Sequence, residues 1–283
     1  MALGQILDGR PIAKAIREQV KTRAEKLRAR GVIPACAIVV LAGDEPGRLY
    51  AEQIQKSGTS LGITILLREL PADAATNDVV VAVAQIVDDP HIQALMVQRP
   101  LPQRLDAERI AEEIDPRKDV DGAHPYNQGL LVAGETFLVP ATAAAVMELL
   151  RQPQVGSLDG ARAVVLGRSA VVGRPVALLL TAADATVTIC HSHTKDLAQI
   201  TREADILVAA VGHPNFVGAQ MVKPGATVID VGTNFVNGRF VGDVDFDTVL
   251  PVARLLTPVP GGVGPVTTAV LLRSVVEAAE RSR

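Results

Sequence analysis

Aromatic residues make up only 2% of this 283-residue chain, and it contains only two cysteines. It also has no apolar run of about 18 residues or more, the length a membrane-spanning helix needs. The two cysteines, Cys36 and Cys190, lie far apart in apolar, strand-like runs. That suits free buried thiols in a reducing cytoplasm better than a disulfide framework. No cluster of His and Cys has ligand spacing, so no metal is expected. A formal net charge of −3 leaves no basic footprint for nucleic acid. The N-terminus, "MALGQILDGRPIAKAIREQV", carries acidic residues and does not resemble a signal peptide. What the chain has instead is aliphatic bulk: 48% hydrophobic residues and a mean hydropathy of +0.26. Buried parallel strands read as such continuous aliphatic runs, which points to an α/β protein of one or two domains.

Helix and strand patterns alternate along most of the chain. Ile12, Ile16, Val20, Ala24 and Leu27 recur at helical spacing, with Pro11 at the start and Gly31 as a stop. "ACAIVVLAG" and "ITILLREL" read as strands around a helix, "RLYAEQIQKSGTSLG", that ends at Gly62. A helix around "NDVVVAVAQIVDD", the short strand "ALMVQ" and the loop "RPLPQ" follow. The stretch from 114 to 134 is rich in charges and glycines and reads as a long functional loop. After the helix "TAAAVMELLRQ", four strands ("ARAVVLG", "ATVTIC", "ADILVAAVG", "ATVIDVG") form a second β-α series, the pattern of a doubly wound parallel sheet. The expected architecture is two α/β lobes with a cleft between them.

The stretch "VVLGRSAVVGRP", residues 164 to 175, is close to a dinucleotide fingerprint but imperfectly spaced. Gly167 ends a strand, and Gly173 precedes Pro175 at what suits a first helical turn. Backbone N–H groups at such a helix start can receive a pyrophosphate. The next strand ends in "HSHTK", where an NAD site usually carries a carboxylate. Hydroxyls, imidazoles and cations there, with Arg168 in the first loop, favour NADP over NAD.

With these loops in place, the chain resembles the bifunctional methylenetetrahydrofolate dehydrogenase/methenyltetrahydrofolate cyclohydrolase family. The likeness rests on "GRSAVVGRP", "ATVTICHSHTKDL", "VKPGATVIDVG", "GDVDF", "VQRPLP", "DPRKDVDGAHPYNQG" and "TPVPGGVGPVTTA". It implies a cytoplasmic homodimer of one-carbon metabolism, including purine biosynthesis, that acts on tetrahydrofolate derivatives with NADP. Residues 1–140 would form an α/β folate-binding domain completed by the closing helix, 267–283. Residues 141–266 would form a Rossmann domain for NADP. The implied catalytic residues are Gln98, Asp121 and Tyr50, with Tyr50 packing on the folate rings and Asp121 accepting from the pterin amino edge. Val97, Ile54, Arg99, Pro260, Gly261, Gly262, Val263 and Gly264 are implied to line the same substrate site. Gly167, Arg168, Ser169, Gly173, Ser192 and Thr233 fall at the cofactor positions.

The family pattern breaks at several of these places. "YAEQIQK" puts Ile54 where the family has its catalytic lysine. Lys56 is two residues on, about 200° around a helix, and faces elsewhere. Arg99 replaces a leucine, Ala123 a phenylalanine, and "PATA" stands for P-C-T-P. The changes cluster in the folate half. Three functions stay open: a dehydrogenase with weak or lost cyclohydrolase activity, a same-fold enzyme on another small substrate, or a non-catalytic folate or NADP binder.

Overall fold

The computed structural model describes residues 4–135, 137–236 and 238–282. The chain opens with β1 (Gln5–Ile6), α1 (Arg10–Arg28), β2 (Ala35–Leu41), α2 (Glu45–Ser60), β3 (Thr64–Leu70) and α3 (Thr76–Val87). It continues through β4 (Ala94–Val97), α4 (Ala107–Glu112), α5 (Pro125–Val132) and α6 (Ala141–Leu150). Then follow β5 (Arg162–Leu166), α7 (Gly173–Thr181), β6 (Thr186–Cys190), α8 (Leu197–Thr201) and β7 (Ile206–Ala209). The last elements are β8 (Thr227–Asp230), β9 (Asn234–Val236), β10 (Arg239–Val241), α9 (Phe246–Val249), β11 (Leu255–Leu256) and α10 (Val263–Arg281). Among the described residues no helix is long and apolar enough to cross a membrane.

Two compact units result, one of Ala15–Ala141 with Leu271–Arg283, the other of Met1–Lys14 with Thr142–Val270. The first holds a three-stranded parallel sheet in the order β3-β2-β4. β2 is central, so it is aliphatic along its whole length and buried on both faces. Its core includes Ala37, Val39, Val83, Leu95 and Ile110. The second unit holds a six-stranded parallel sheet in the order β1-β11-β8-β7-β5-β6. The chain leaves β5 for β6 on one side and returns to β7 on the other. That reversal opens a crevice at the strands' carboxyl ends. Beside the sheet lies the antiparallel hairpin β9–β10.

Two expectations are corrected. The folate-binding domain is expected to span 1–140, yet Gln5 and Ile6, as β1, pair with β11 and edge the six-stranded sheet. Two residues are too short to show a strand period, so the pairing is set by tertiary contact. The stretch from 114 to 134 is not all loop, because it contains α5. Pro125 presets the first helical turn, and the His124 Nδ1 accepts from the Tyr126 N–H at 2.9 Å as an N-terminal cap.

Candidate functional site

In the three-stranded unit the candidate residues gather at the carboxyl end of β4 and the start of α2. Val97 is buried opposite Val39 in register, and the Gln98 N–H continues the ladder to the Val39 carbonyl at 2.9 Å. The Gln98 Nε2 donates to the Arg99 carbonyl at 2.9 Å. Gln98 lines a cavity of about 460 Å3 with Leu41, Asp44, Ala72, Pro100 and Leu101. Asp44 caps α2 by accepting from the Gly47 N–H at 3.1 Å. A side chain at Gly47 would meet the Gln98 Cγ at 2.8 Å, so this glycine lets α2 start against the glutamine.

Tyr50 is half-buried on α2, and Ile54 is fully buried on the same helix. Gly47, Ala51, Ile54 and Gly58 form its inward stripe at spacings of three and four. Lys56 is exposed and lines a different, open groove with Arg28, Glu52, Gln55 and Thr59. The lysine and Gln98 therefore line separate concavities.

Residues 118–120 add one rung beside β4, with Leu95 N–H donating to the Lys118 carbonyl at 2.7 Å. This fixes the turn that carries Asp121. Asp119, fully buried, anchors the turn by accepting from the Ala123 N–H (3.1 Å), the His124 N–H (2.8 Å) and the Asn127 Nδ2 (2.9 Å). Asp121 is half-buried, and its carboxyl is pushed up to about 7. Burial is the main cause, the Asp119 charge adds to it, and Arg99 opposes it. Sequence reasoning named Asp121 and missed Asp119, although the D-V-D spacing held the signal: two carboxylates so close need separate partners.

The six-stranded unit carries the nucleotide-type loops. Gly167 follows β5 with φ +115°, and a side chain there would lie 2.1 Å from the Ala210 carbonyl oxygen. Gly173 opens α7 and abuts the Gly167 carbonyl, which a side chain would meet at 2.1 Å. Two crossing backbones thus require both glycines, despite the irregular spacing. Arg168 and Ser169 are exposed between them. Ser192 is exposed in the turn after β6, where the His191 N–H donates to the Thr194 Oγ1 at 2.9 Å. Thr233 is exposed just beyond β8. All of these positions lie at carboxyl ends of strands in one sheet. The loop from 260 to 264 also belongs to this unit, where the Gly9 N–H donates to the Gly261 carbonyl at 2.9 Å. Pro260 and Gly264 are exposed, whereas Gly261, Gly262 and Val263 are buried. Tyr50, Gln98 and Asp121 lie in the other unit.

Fold and loops together define a two-unit α/β protein with a Rossmann-type nucleotide-binding sheet. The chain belongs to the tetrahydrofolate dehydrogenase/cyclohydrolase family, matching the model of its catalytic domain over residues 7–121 and that of its NAD(P)-binding domain over residues 140–283. The bifunctional protein FolD of Parafrankia sp. (strain EAN1pec) is 50% identical over 275 residues, covering 97% of this chain and 99% of that protein. The Trypanosoma brucei methylenetetrahydrofolate dehydrogenase-cyclohydrolase (FolD), solved with NADP cofactor and inhibitor, superposes with a TM-score of 0.94 at 38% identity, covering 100% and 99% of the chains. The Campylobacter jejuni bifunctional enzyme superposes with a TM-score of 0.93 at 37% identity, covering 98% of each.

Proposed function

We propose that this chain is an NADP-dependent methylenetetrahydrofolate dehydrogenase in which the cyclohydrolase step is weak or lost. Family membership over both units supports the first reaction. The observation that carries the second part is Ile54, fully buried at the place of the family lysine, with Lys56 in a different groove.

Gly167 and Gly173 let the turn between β5 and α7 pack tightly on its own backbone, and the N–H groups at the start of α7 would receive a pyrophosphate. Arg168, Ser169, Ser192 and Thr233 would hold the cofactor's phosphates and hydroxyls. Bound NADP supplies the acceptor for a hydride leaving the one-carbon bridge of 5,10-methylenetetrahydrofolate, and the 5,10-methenyl cation remains. That step needs no proton transfer, so orientation of the two rings supplies much of the catalysis. Tyr50 would pack on the folate, and Gln98 would line the pocket where the bridge sits. Asp121 would accept hydrogen bonds from the pterin edge, with Val97 and Arg99 of the same unit completing the contacts.

Addition of water to the cation is different. A hydroxyl must form, a proton must be shed, and a C–N bond must open to give 10-formyltetrahydrofolate. Isoleucine offers neither charge nor proton, and the Arg99 guanidinium has donors only and no acceptor with which to serve as a base. The test follows NADPH formation from 5,10-methylenetetrahydrofolate and methenyl hydrolysis in parallel. Reduction without accelerated hydrolysis supports the reading; hydrolysis far above background overturns its second half. No NADPH formation would favour a non-catalytic binder or another substrate.

We also propose a homodimer. The hairpin β9–β10 leaves Phe235 60% and Phe240 49% exposed, their rings 5.2 Å apart, and a second copy would cover them.

A further inference from the structure

Two buried carboxylates at the ends of β8 and β10 take no part in the reaction above. Asp230 is 3% exposed and Asp243 0%. The Asp230 carboxylate accepts from the N–H groups of Gly232 (2.9 Å), Asp243 (2.9 Å) and Val244 (3.0 Å). The Asp243 carboxylate accepts from the Val211 N–H (2.6 Å), the Gly212 N–H (2.9 Å) and the Asn234 Nδ2 (2.9 Å). Six donors converge on four oxygens, and among the described residues no lysine or arginine pairs with either group.

Burying two anions with no cation between them is costly, and apolar side chains would hold a fold together more cheaply. The glycines beside them are shaped to this arrangement. A side chain at Gly232 would meet the Asp243 Cγ at 2.4 Å, and one at Gly242 would lie 1.8 Å from the Asp230 Oδ2. What the carboxylates hold is local: residues 211–212 after β7 and residues 232–234 after β8. Those are carboxyl ends of neighbouring parallel strands, where open sheets of this kind bind ligands. Thr233 stands between two anchored neighbours, Gly232 and Asn234. Burial, with the Asp243 charge adding to it, pushes the Asp230 carboxyl up to about 6 against its three N–H donors. At neutral pH Asp230 is therefore still an acceptor.

We propose that Asp243, backed by Asp230, is a positioning residue for the dinucleotide, holding the loops after β7 and β8 in the shape that presents Thr233 and the adjoining backbone to the cofactor. The inference rests on reading this unit as the NADP site. An Asp243→Asn side chain turns one acceptor into a donor that faces N–H groups, so the loops loosen where the cofactor lands.

The full-length chain is titrated with NADP, and KM values for NADP and 5,10-methylenetetrahydrofolate are measured separately. Asp243→Asn is expected to raise the NADP Kd and KM at least tenfold, with the folate KM within twofold of wild type. Asn234→Ala, which removes one donor at a part-buried position, is expected to raise the NADP KM about threefold with an unchanged melting temperature. It keeps the proposal testable if Asp243→Asn does not fold. NADP affinity within twofold of wild type in the folded variants would overturn the positioning role while leaving the NADP reading intact. Failure of the wild-type chain itself to bind NADP would overturn both.

Discussion

Ile54 and Asp121 differ in what they can do with protons, since Ile54 has no titratable group and the Asp121 carboxyl is pushed up to about 7. Ile54 lies on the buried stripe of α2, so a lysine there would be partly desolvated and its ammonium pKa depressed. That is the range in which a lysine moves protons at neutral pH, and losing such a group typically costs roughly 10²- to 10⁴-fold. Ile54→Lys is expected to raise methenyltetrahydrofolate hydrolysis at least tenfold over the wild type while lowering the melting temperature. A variant that folds and gains no hydrolysis would show that more than the lysine is missing. In the function we propose, Asp121 would act through its ionised, acceptor form, and its carboxyl is pushed up to about 7. The acceptor is therefore lost as pH falls through 7, and the folate KM should rise about tenfold per pH unit below that point. Asp121→Asn should show no such slope, and Asp121→Ala should weaken folate binding by roughly 10- to 100-fold, the cost of a lost buried acceptor, at unchanged NADP affinity. For stability the sign reverses. A raised carboxyl pKa means the folded chain holds the proton more tightly than the unfolded one, so this group's contribution grows as pH falls from 7 towards 4.

The turn between β5 and α7 depends on two glycines whose backbones cross, and its function and its geometry can be probed separately. Gly173→Ala places a methyl 2.1 Å from the Gly167 carbonyl oxygen, so backbone has to move. NADP affinity should fall at least tenfold by titration, with folate binding unaffected. A normal NADP Kd in that variant would show that the crossing is not the phosphate cradle. The turn after β6 bears on cofactor choice instead. NADP should bind about ten- to a hundredfold more tightly than NAD, the worth of one charge-assisted contact to the extra phosphate. Ser192→Asp should reverse that order by repulsion. These elements were legible because a strand-glycine-helix junction is a local pattern. β1, β11 and α5 were not: two-residue strands carry no period, and α5 starts inside a run of charges and glycines where composition suggests loop.

For the molecule as a whole, the outward face of the β9–β10 hairpin decides the assembly state we propose. Replacing Phe235 and Phe240 together by Asp should yield a monomer by light scattering, where the wild-type chain is expected to run as a dimer. An unchanged mass in the double variant would move the interface elsewhere. The thiols agree with the aliphatic packing of both sheets. Cys36 and Cys190 are free and buried, and burial pushes the Cys36 thiol up to about 12, so it is unreactive in the native chain.

Strand and helix order, the central β2, the glycine turn at 167–173 and the place of Ile54 four residues after Tyr50 were all fixed by residues near one another in the chain. Hydrophobic period, turn chemistry and motif spacing are local properties. The placement of β1 in the six-stranded sheet required the folded backbone. So did the six donors around Asp230 and Asp243. In each case the partners are brought together by packing, and the fate of a buried charge depends on donors whose distance along the chain does not announce them.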